Sequence, residues 1–214
     1  MRTFSIQLSV ILLLSLVFGC QDANDKALPI MGIPTITESG DTIQHSIPDY
    51  TFIDQDSNQV TPATFSGKAY VADFFFTSCP SICPIMTKEM KRIYDSFDED
   101  DRLMFLSHSI DTRHDSVPVL KEYANKLNID HNRWRFVTGE KSEIYDIANA
   151  YFNIAYEDPD APGGYDHSGK LILVDANRHV RAYCEGTDHE SVTKFIEDIE
   201  ILLHEKDLAA SPSN

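Results

Sequence analysis

The stretch FFFTSCPSICPIM, residues 74–86, places Cys79 and Cys83 four positions apart between an apolar run and a proline. Two thiols at that spacing can close a structural disulfide, cycle as a redox couple, or hold a metal ion. The remaining cysteines are Cys20 and Cys184. The choice therefore depends on the compartment the chain occupies and on how many thiols are free there.

The compartment is legible at the amino terminus. MRTFSIQLSVILLLSLVFGC carries one basic residue, Arg2, then an apolar stretch from about Ile6 to Phe18, then Gly19 and Cys20. This reads as an export signal, and its apolar run is short for a spanning helix, which needs about 20 apolar residues. VFGC resembles the lipobox of a bacterial lipoprotein signal, in which cleavage after residue 19 leaves Cys20 to be lipidated. Val17 and Phe18 depart from the commonest lipobox. An uncleaved anchor, or an ordinary signal with Cys20 left free, are the alternatives. Each version places the folded part in the bacterial cell envelope at a membrane, facing the periplasm or the outer side. With Cys20 lipidated, Cys79, Cys83 and Cys184 remain, and an odd number of thiols makes a poor disulfide framework. After a polar tether over residues 20–45, one domain over residues 46–205 is long enough for a proper core without staples, ahead of a disordered tail over 206–214. Stability alone does not account for the pair.

Charge limits the partners. The chain has 18 Lys and Arg against 34 Asp and Glu, a formal net charge of -16, which argues against nucleic acid or anionic lipid as a ligand. An acidic exterior that keeps an exported protein soluble is the simplest reading, and it would also suit cations or a basic protein patch. There is no internal repeat and no low-complexity segment.

The elements that must position the cysteines follow from periodicity. YTFIDQDSNQVTPATFSGK reads as two short strands around a polar turn at Asp56 to Asn58, and AYVADFFF as a buried strand interrupted only by Asp73. Met86, Met90, Ile93, Tyr94 and Phe97 fall at helical spacing just after the cysteines. RLMFLSHSI is a second buried strand, and Leu120, Tyr123, Ala124 and Leu127 mark a helix after Pro118. RWRFVTG and KSEIYDIANAYF continue the alternation, and GKLILVDANRHVRAYCEG is a hairpin turning at Ala176 to Arg178. A last helix presents Val192, Phe195, Ile196, Ile199, Leu202 and Leu203, with a capping box expected from Thr187 and Glu190. The order implies an α/β fold: a mixed central sheet with helices on both faces.

In that fold the cysteines occupy the turn between the first core strand and its helix, at the carboxyl end of a strand. Pro84 suits the first helical turn, so Cys83 lies at the helix start. Helix-start amides favour thiolate over thiol. Both sulfurs come to one side, where they can bridge each other or pinch one ion.

This arrangement resembles the thioredoxin fold, here with an N-terminal hairpin and an inserted hairpin, and within it the Sco/SenC family. The family's pattern is an apolar strand, a T-x-C-P-x-x-C-P loop and a Met in the helix, all present in FFFTSCPSICPIM. SIDTRHDS carries Asp111 and Asp115 at the spacing of the family's D-x-x-x-D segment, and YDHSGKLILVD presents His167 in its D-H-S context. The resemblance covers roughly residues 47–203. It implies a copper metallochaperone that binds one copper ion through Cys79, Cys83 and His167, as Cu(I), Cu(II) or both, and serves the dinuclear copper site of cytochrome c oxidase. The implied partner is the copper-site subunit of that oxidase or another exported copper protein. Soft thiolates favour Cu(I), and imidazole suits either oxidation state.

Two departures stand out. Thr112 occupies a position where the family usually has Pro, and His108 is an extra potential ligand. Asp111 and Asp115 are candidates for partner contact, and Asp115 or Ser116 for capping the helix that Pro118 helps to start; a carboxylate is a hard ligand for a soft site. Cys184 and the pair Met86 and Met90 read as packing residues.

The competing reading is an exported thiol-disulfide oxidoreductase in which Cys79 and Cys83 attack and resolve, although the usual C-x-x-C spacing is absent. A peroxiredoxin would need Pro at 72 and Thr at 76, where the chain has Ala72 and Phe76. A structural zinc site would close with four ligands, and a plain disulfide between Cys79 and Cys83 remains the structural alternative.

Overall fold

A computed structural model describes residues 27–98, 100–153 and 155–210. Cys20, the leader and residues 211–214 lie outside the described residues. Seven strands form the main sheet: β3 (Phe52–Asp54), β4 (Gln59–Val60), β5 (Ala69–Phe75), β6 (Leu103–Ser109), β7 (Trp134–Thr138), β10 (Lys170–Val174) and β11 (Val180–Glu185). Their order is β11-β10-β5-β6-β7-β3-β4. The centre is parallel, with β5 beside β6 and β6 beside β7, and the strands on both flanks are antiparallel. β5 and β6 are buried along their whole length, as parallel strands between two helical layers must be, although Asp73 and the Ser107–Ser109 segment interrupt their apolar runs.

Helices cover both faces. On one side lie α1 (Cys83–Ser96) and α2 (Val117–Leu127), joined by a Thr87–Tyr123 hydroxyl contact of 2.8 Å. Tyr123 from α2 meets the Phe75 ring at 5.4 Å. α3 (Lys141–Ala150) serves the opposite face, where Tyr151 at its end packs on Phe74 and His108. The closing helix α4 (His189–Ala210) lies against α1, where Arg92 reaches Thr193 and the carbonyl of His189. Alternation along β5 thus sends Phe74 and Phe75 into two separate halves of the core.

Three local details differ from the sequence expectation. Asp188, not Thr187, caps α4: its Oδ1 accepts the amides of Glu190 (2.9 Å) and Ser191 (3.4 Å). α4 runs to Ala210, into the segment expected as tail. The described part of the expected tether is laid on the domain. Arg181 donates to the carbonyls of Leu28 and Pro29, and the Met31 amide donates to the Val180 carbonyl, ahead of a small hairpin of β1 (Thr35–Ile36) and β2 (Thr42–Ile43). A further hairpin, β8 (Ala155–Glu157) with β9 (Tyr165–His167), forms its own two-stranded sheet outside the main one. Its short, Pro-, Gly- and Asp-rich sequence carries no strand periodicity.

Candidate metal centre

The cysteine loop leaves β5 at Phe75 and turns at once, with the Cys79 amide donating to the Phe76 carbonyl at 3.2 Å. α1 begins at Cys83, with Pro84 in its first turn, where a missing N–H costs nothing. The Cys83 amide points at Cys79 Sγ, 3.4 Å away, so the helix start stabilises negative charge on the first sulfur. Both cysteines are free thiols and both are buried.

The third group arrives from β9. His167 sits 84 residues beyond Cys83, yet its Nε2 lies 3.3 Å from Cys83 Sγ. One ligand atom each from Cys79, Cys83 and His167 fall within 4.8 Å of one another. A cleft of ≈ 280 Å³ opens beside them, walled by Phe76, Ile82, Pro162 and Tyr165.

The three groups are electrostatically unlike. Burial alone would raise the Cys79 thiol, but bonds from the Cys83 side chain and from the Cys83 and Ser81 amides outweigh it and bring Cys79 below the ordinary thiol range. Burial pushes the Cys83 thiol well up, and neighbouring Cys79 adds to the effect. Burial also lowers His167, which favours the neutral imidazole that can donate a lone pair to a metal. His167 Nδ1 is buried and has no protein partner. Two sulfurs and a neutral imidazole nitrogen, converging on one point, fit a soft or borderline ion such as copper and suit a hard one poorly.

Asp111 and Asp115 are buried and absent from the donor group. Asp115 accepts the Thr77 amide at 3.0 Å and the Ser109 hydroxyl at 2.6 Å, with the Thr77 hydroxyl as a third donor. It therefore pins the cysteine loop, two residues before Cys79, to the end of β6. The capping expected of it is not made: Ser116 occupies the cap position of α2, and no side-chain bond caps that helix. Asp111 accepts the Tyr165 hydroxyl at 2.7 Å and bonds the His114 ring.

His108 does not join the site. It is fully buried on the other face of the sheet, stacked on Phe74 at 4.6 Å, and it pairs in register with that residue across β5 and β6. Even-numbered β5 residues and their β6 partners face α3, away from the cysteine helix. Cys184 is buried on β11, and Met86 and Met90 are core residues, as expected. Ser109 and Tyr165 escape sequence reasoning because nothing in their types or spacing marks them, and Thr77, although it stands in the T-x-C-P-x-x-C-P pattern, carries no sign there of its bond to Asp115.

The comparisons with known proteins agree with this geometry. The family model described as SCO1/SenC matches residues 39–204. The chain is 27% identical over 161 residues to the SCO1 protein homolog of Bacillus subtilis, an alignment covering 74% of this chain and 83% of that one. It is similar to the crystal structure of a SCO1/SenC family lipoprotein from Bacillus anthracis, with a TM-score of 0.68, 25% identity and coverage of 74% of this chain and 95% of that one. BsSco, described as a member of the Sco family of cytochrome c oxidase assembly proteins and solved in work identifying a disulfide switch, superposes with a TM-score of 0.65 at 27% identity, covering 74% of this chain and 93% of that one. A thioredoxin-like sheet, a Cys-x-x-x-Cys loop at the end of its first core strand, and a histidine folded back onto that loop occur together within the matched span, and the chain belongs to the SCO1/SenC family.

Proposed function

We propose that the protein is a copper metallochaperone of the cell envelope, which carries one copper ion on Cys79, Cys83 and His167 and delivers it to, or prepares with it, the dinuclear copper site of cytochrome c oxidase. The observation that carries this reading is the convergence of two free thiols and an imidazole from distant parts of the chain. Copper is cargo. Cys79, with its thiol lowered and its sulfur facing the helix start, is the donor readiest to take it. Cys83 closes on the ion from the buried side, while His167 lines the cleft with Cys79. Three protein donors leave a coordination position for a donor from the receiving protein, beside the open cleft. The leader and Cys20 support export and lipid anchoring, which keep the domain beside membrane-bound clients.

The discriminating experiment is complementation of a deletion strain at low copper, with protein levels matched and oxidase activity measured. Disulfide exchange needs only an attacking and a resolving thiol, whereas copper delivery needs the imidazole as well. His167→Ala is expected to lose oxidase maturation nearly as completely as Cys79→Ser, with partial rescue by added copper. Full activity with His167→Ala alongside failure of both cysteine variants would replace the carrier reading with a thiol reductase.

A further inference from the structure

We infer that Tyr165 is a positioning residue that, latched to Asp111, holds His167 at the two cysteines. His167 is carried by the β8–β9 hairpin. β8 and β9 pair only with each other and share no ladder with the seven-stranded sheet, so beyond its base, where the Gly169 carbonyl accepts the Gly186 amide at 2.9 Å, the arm that carries the imidazole is placed by side chains. Tyr165 and His167 are two positions apart on β9, which points both side chains to the same face. Both are buried, at 7% exposure each, while Asp166 between them is exposed.

The Tyr165 hydroxyl donates to Asp111 Oδ1 at 2.7 Å in a buried bond. Its ring lies 5.0 Å from that of Phe76, which leads into the cysteine loop. The other ties of the arm are more exposed: Arg113 reaches Glu157 at 3.4 Å and Lys141 reaches Glu157 at 2.7 Å, all at the surface. Ser168 bonds Asn153 in the chain entering β8. A buried bond to a carboxylate is worth more than these surface pairs.

Asp111 is itself well placed to act as an anchor. It follows directly on the end of β6 and Ile110, and its carbonyl accepts the amides of His114 (3.1 Å) and Asp115 (2.9 Å). The same turn therefore carries both carboxylates: Asp115 fixes the loop with Cys79, and Asp111 fixes the arm with His167. One rigid five-residue segment sets the distance between the sulfurs and the imidazole. This goes beyond the proposed copper site by assigning what orients its third donor, and it rests on that reading for its metal readout only.

The test uses the full chain in detergent, with Tyr165→Phe, Asp111→Ala, Asp111→Asn, the Tyr165→Phe/Asp111→Ala pair, and His167→Ala. Tyr165→Phe keeps the ring on Phe76 and removes only the hydroxyl, so it stays informative if Asp111→Ala folds poorly. In the metal-free protein, amide exchange at residues 165–168 should quicken at least tenfold in Tyr165→Phe while the β5 and β6 amides stay as in the wild type. Cu(I) affinity by chelator competition should fall about 10- to 100-fold, the range for loss of a group that orients a ligand. The Cu(II) spectrum should move toward that of His167→Ala. The shared Tyr165–Asp111 bond is the main loss in either variant, beside the longer Arg113–Tyr165 contact (3.5 Å) and the exposed His114–Asp111 pair, so the double variant should fall well short of the sum of the single losses, and Asp111→Asn, which still offers an acceptor, should recover most of the loss. Unchanged exchange, unchanged Cu(I) affinity, or additive losses in the pair would each overturn the inference. If His167→Ala binds copper as tightly as the wild type, the copper-site reading fails instead, and the exchange data alone then decide the latch.

Discussion

Asp73 and His108 sit one position apart in the β5–β6 register, on opposite faces of the sheet, and their titrations should tilt stability in opposite directions. Asp73 is 2% exposed, one of its oxygens has no partner, and burial pushes its carboxyl up to about 7, with only a Ser107 bond working against the rise. Below its ordinary 3.8 the group is protonated whether the chain is folded or not. Between 3.8 and about 7 the folded state keeps a proton that the unfolded state has lost, so stability falls as pH rises, and above about 7 the full cost is present. At 1.36 kcal/mol per tenfold this amounts to ~4 kcal/mol. His108 behaves in the reverse sense. Burial lowers it from 6.5 to about 4, so its contribution is present above 6.5 and is lost as pH falls through that window, ~3 kcal/mol in all. In the wild type the two slopes nearly cancel between pH 4 and 6.5. Asp73→Asn removes one of them. Urea midpoints at constant m-value, measured from pH 4.5 to 8.5 with the thiols reduced, should show the variant gaining ~3 kcal/mol on the wild type across that range, most of it below pH 7. A pH-independent difference between the two proteins would refute the reasoning. Because the Asp73 charge also raises the Cys83 thiol, the same variant should make Cys83 react faster with a thiol reagent at neutral pH.

Gly163 and Gly164 offer a matched pair, since both have φ of +85° but a Cβ on Gly163 would lie 2.7 Å from the Phe76 ring whereas one on Gly164 meets nothing within 4 Å. Gly164→Ala should cost about 1 kcal/mol of backbone strain, and Gly163→Ala about 1–3 kcal/mol more together with weakened copper binding, read by thermal melts and chelator competition. Equal effects would mean that the arm does not press on the cysteine loop. At the amino terminus, intact-mass analysis of membrane-extracted protein should find residues 1–19 removed and Cys20 acylated, with Cys20→Ser released or misprocessed. An unmodified Cys20 on a soluble mature chain would remove the anchor from the account.

Much of the fold is written in periodicity. β5 and β6 announce themselves as apolar runs, and the spacing of Met86, Met90, Ile93 and Tyr94 gives α1 and its buried face. Pro84 fixes where that helix begins. The β8–β9 arm is not legible, because three-residue strands flanking Pro162, Gly163 and Gly164 alternate too briefly to register, and the residues that Tyr165 meets, Phe76 and Asp111, lie far away in the chain. His167 illustrates the limit most plainly. Among eight histidines it is singled out by family resemblance and then by folding, not by any local chemistry. His108 is the converse case: it lies in a segment that ends beside the site, but strand alternation turns it to the wrong face. Asp111 and Asp115 were legible as a pair and illegible in role, since a capping carboxylate and a brace between two halves of a site have the same sequence.

The claim that one copper ion is held by Cys79, Cys83 and His167 is tested most directly by X-ray absorption on the full chain loaded with a single equivalent of Cu(I). The spectrum should fit two sulfur scatterers and one nitrogen, with the outer-shell pattern of an imidazole. That pattern should vanish in His167→Ala while the sulfurs persist, and Cys184→Ser should leave the spectrum untouched. A wild-type spectrum without imidazole scattering, or one that needs the sulfur of Cys184, would contradict the assignment.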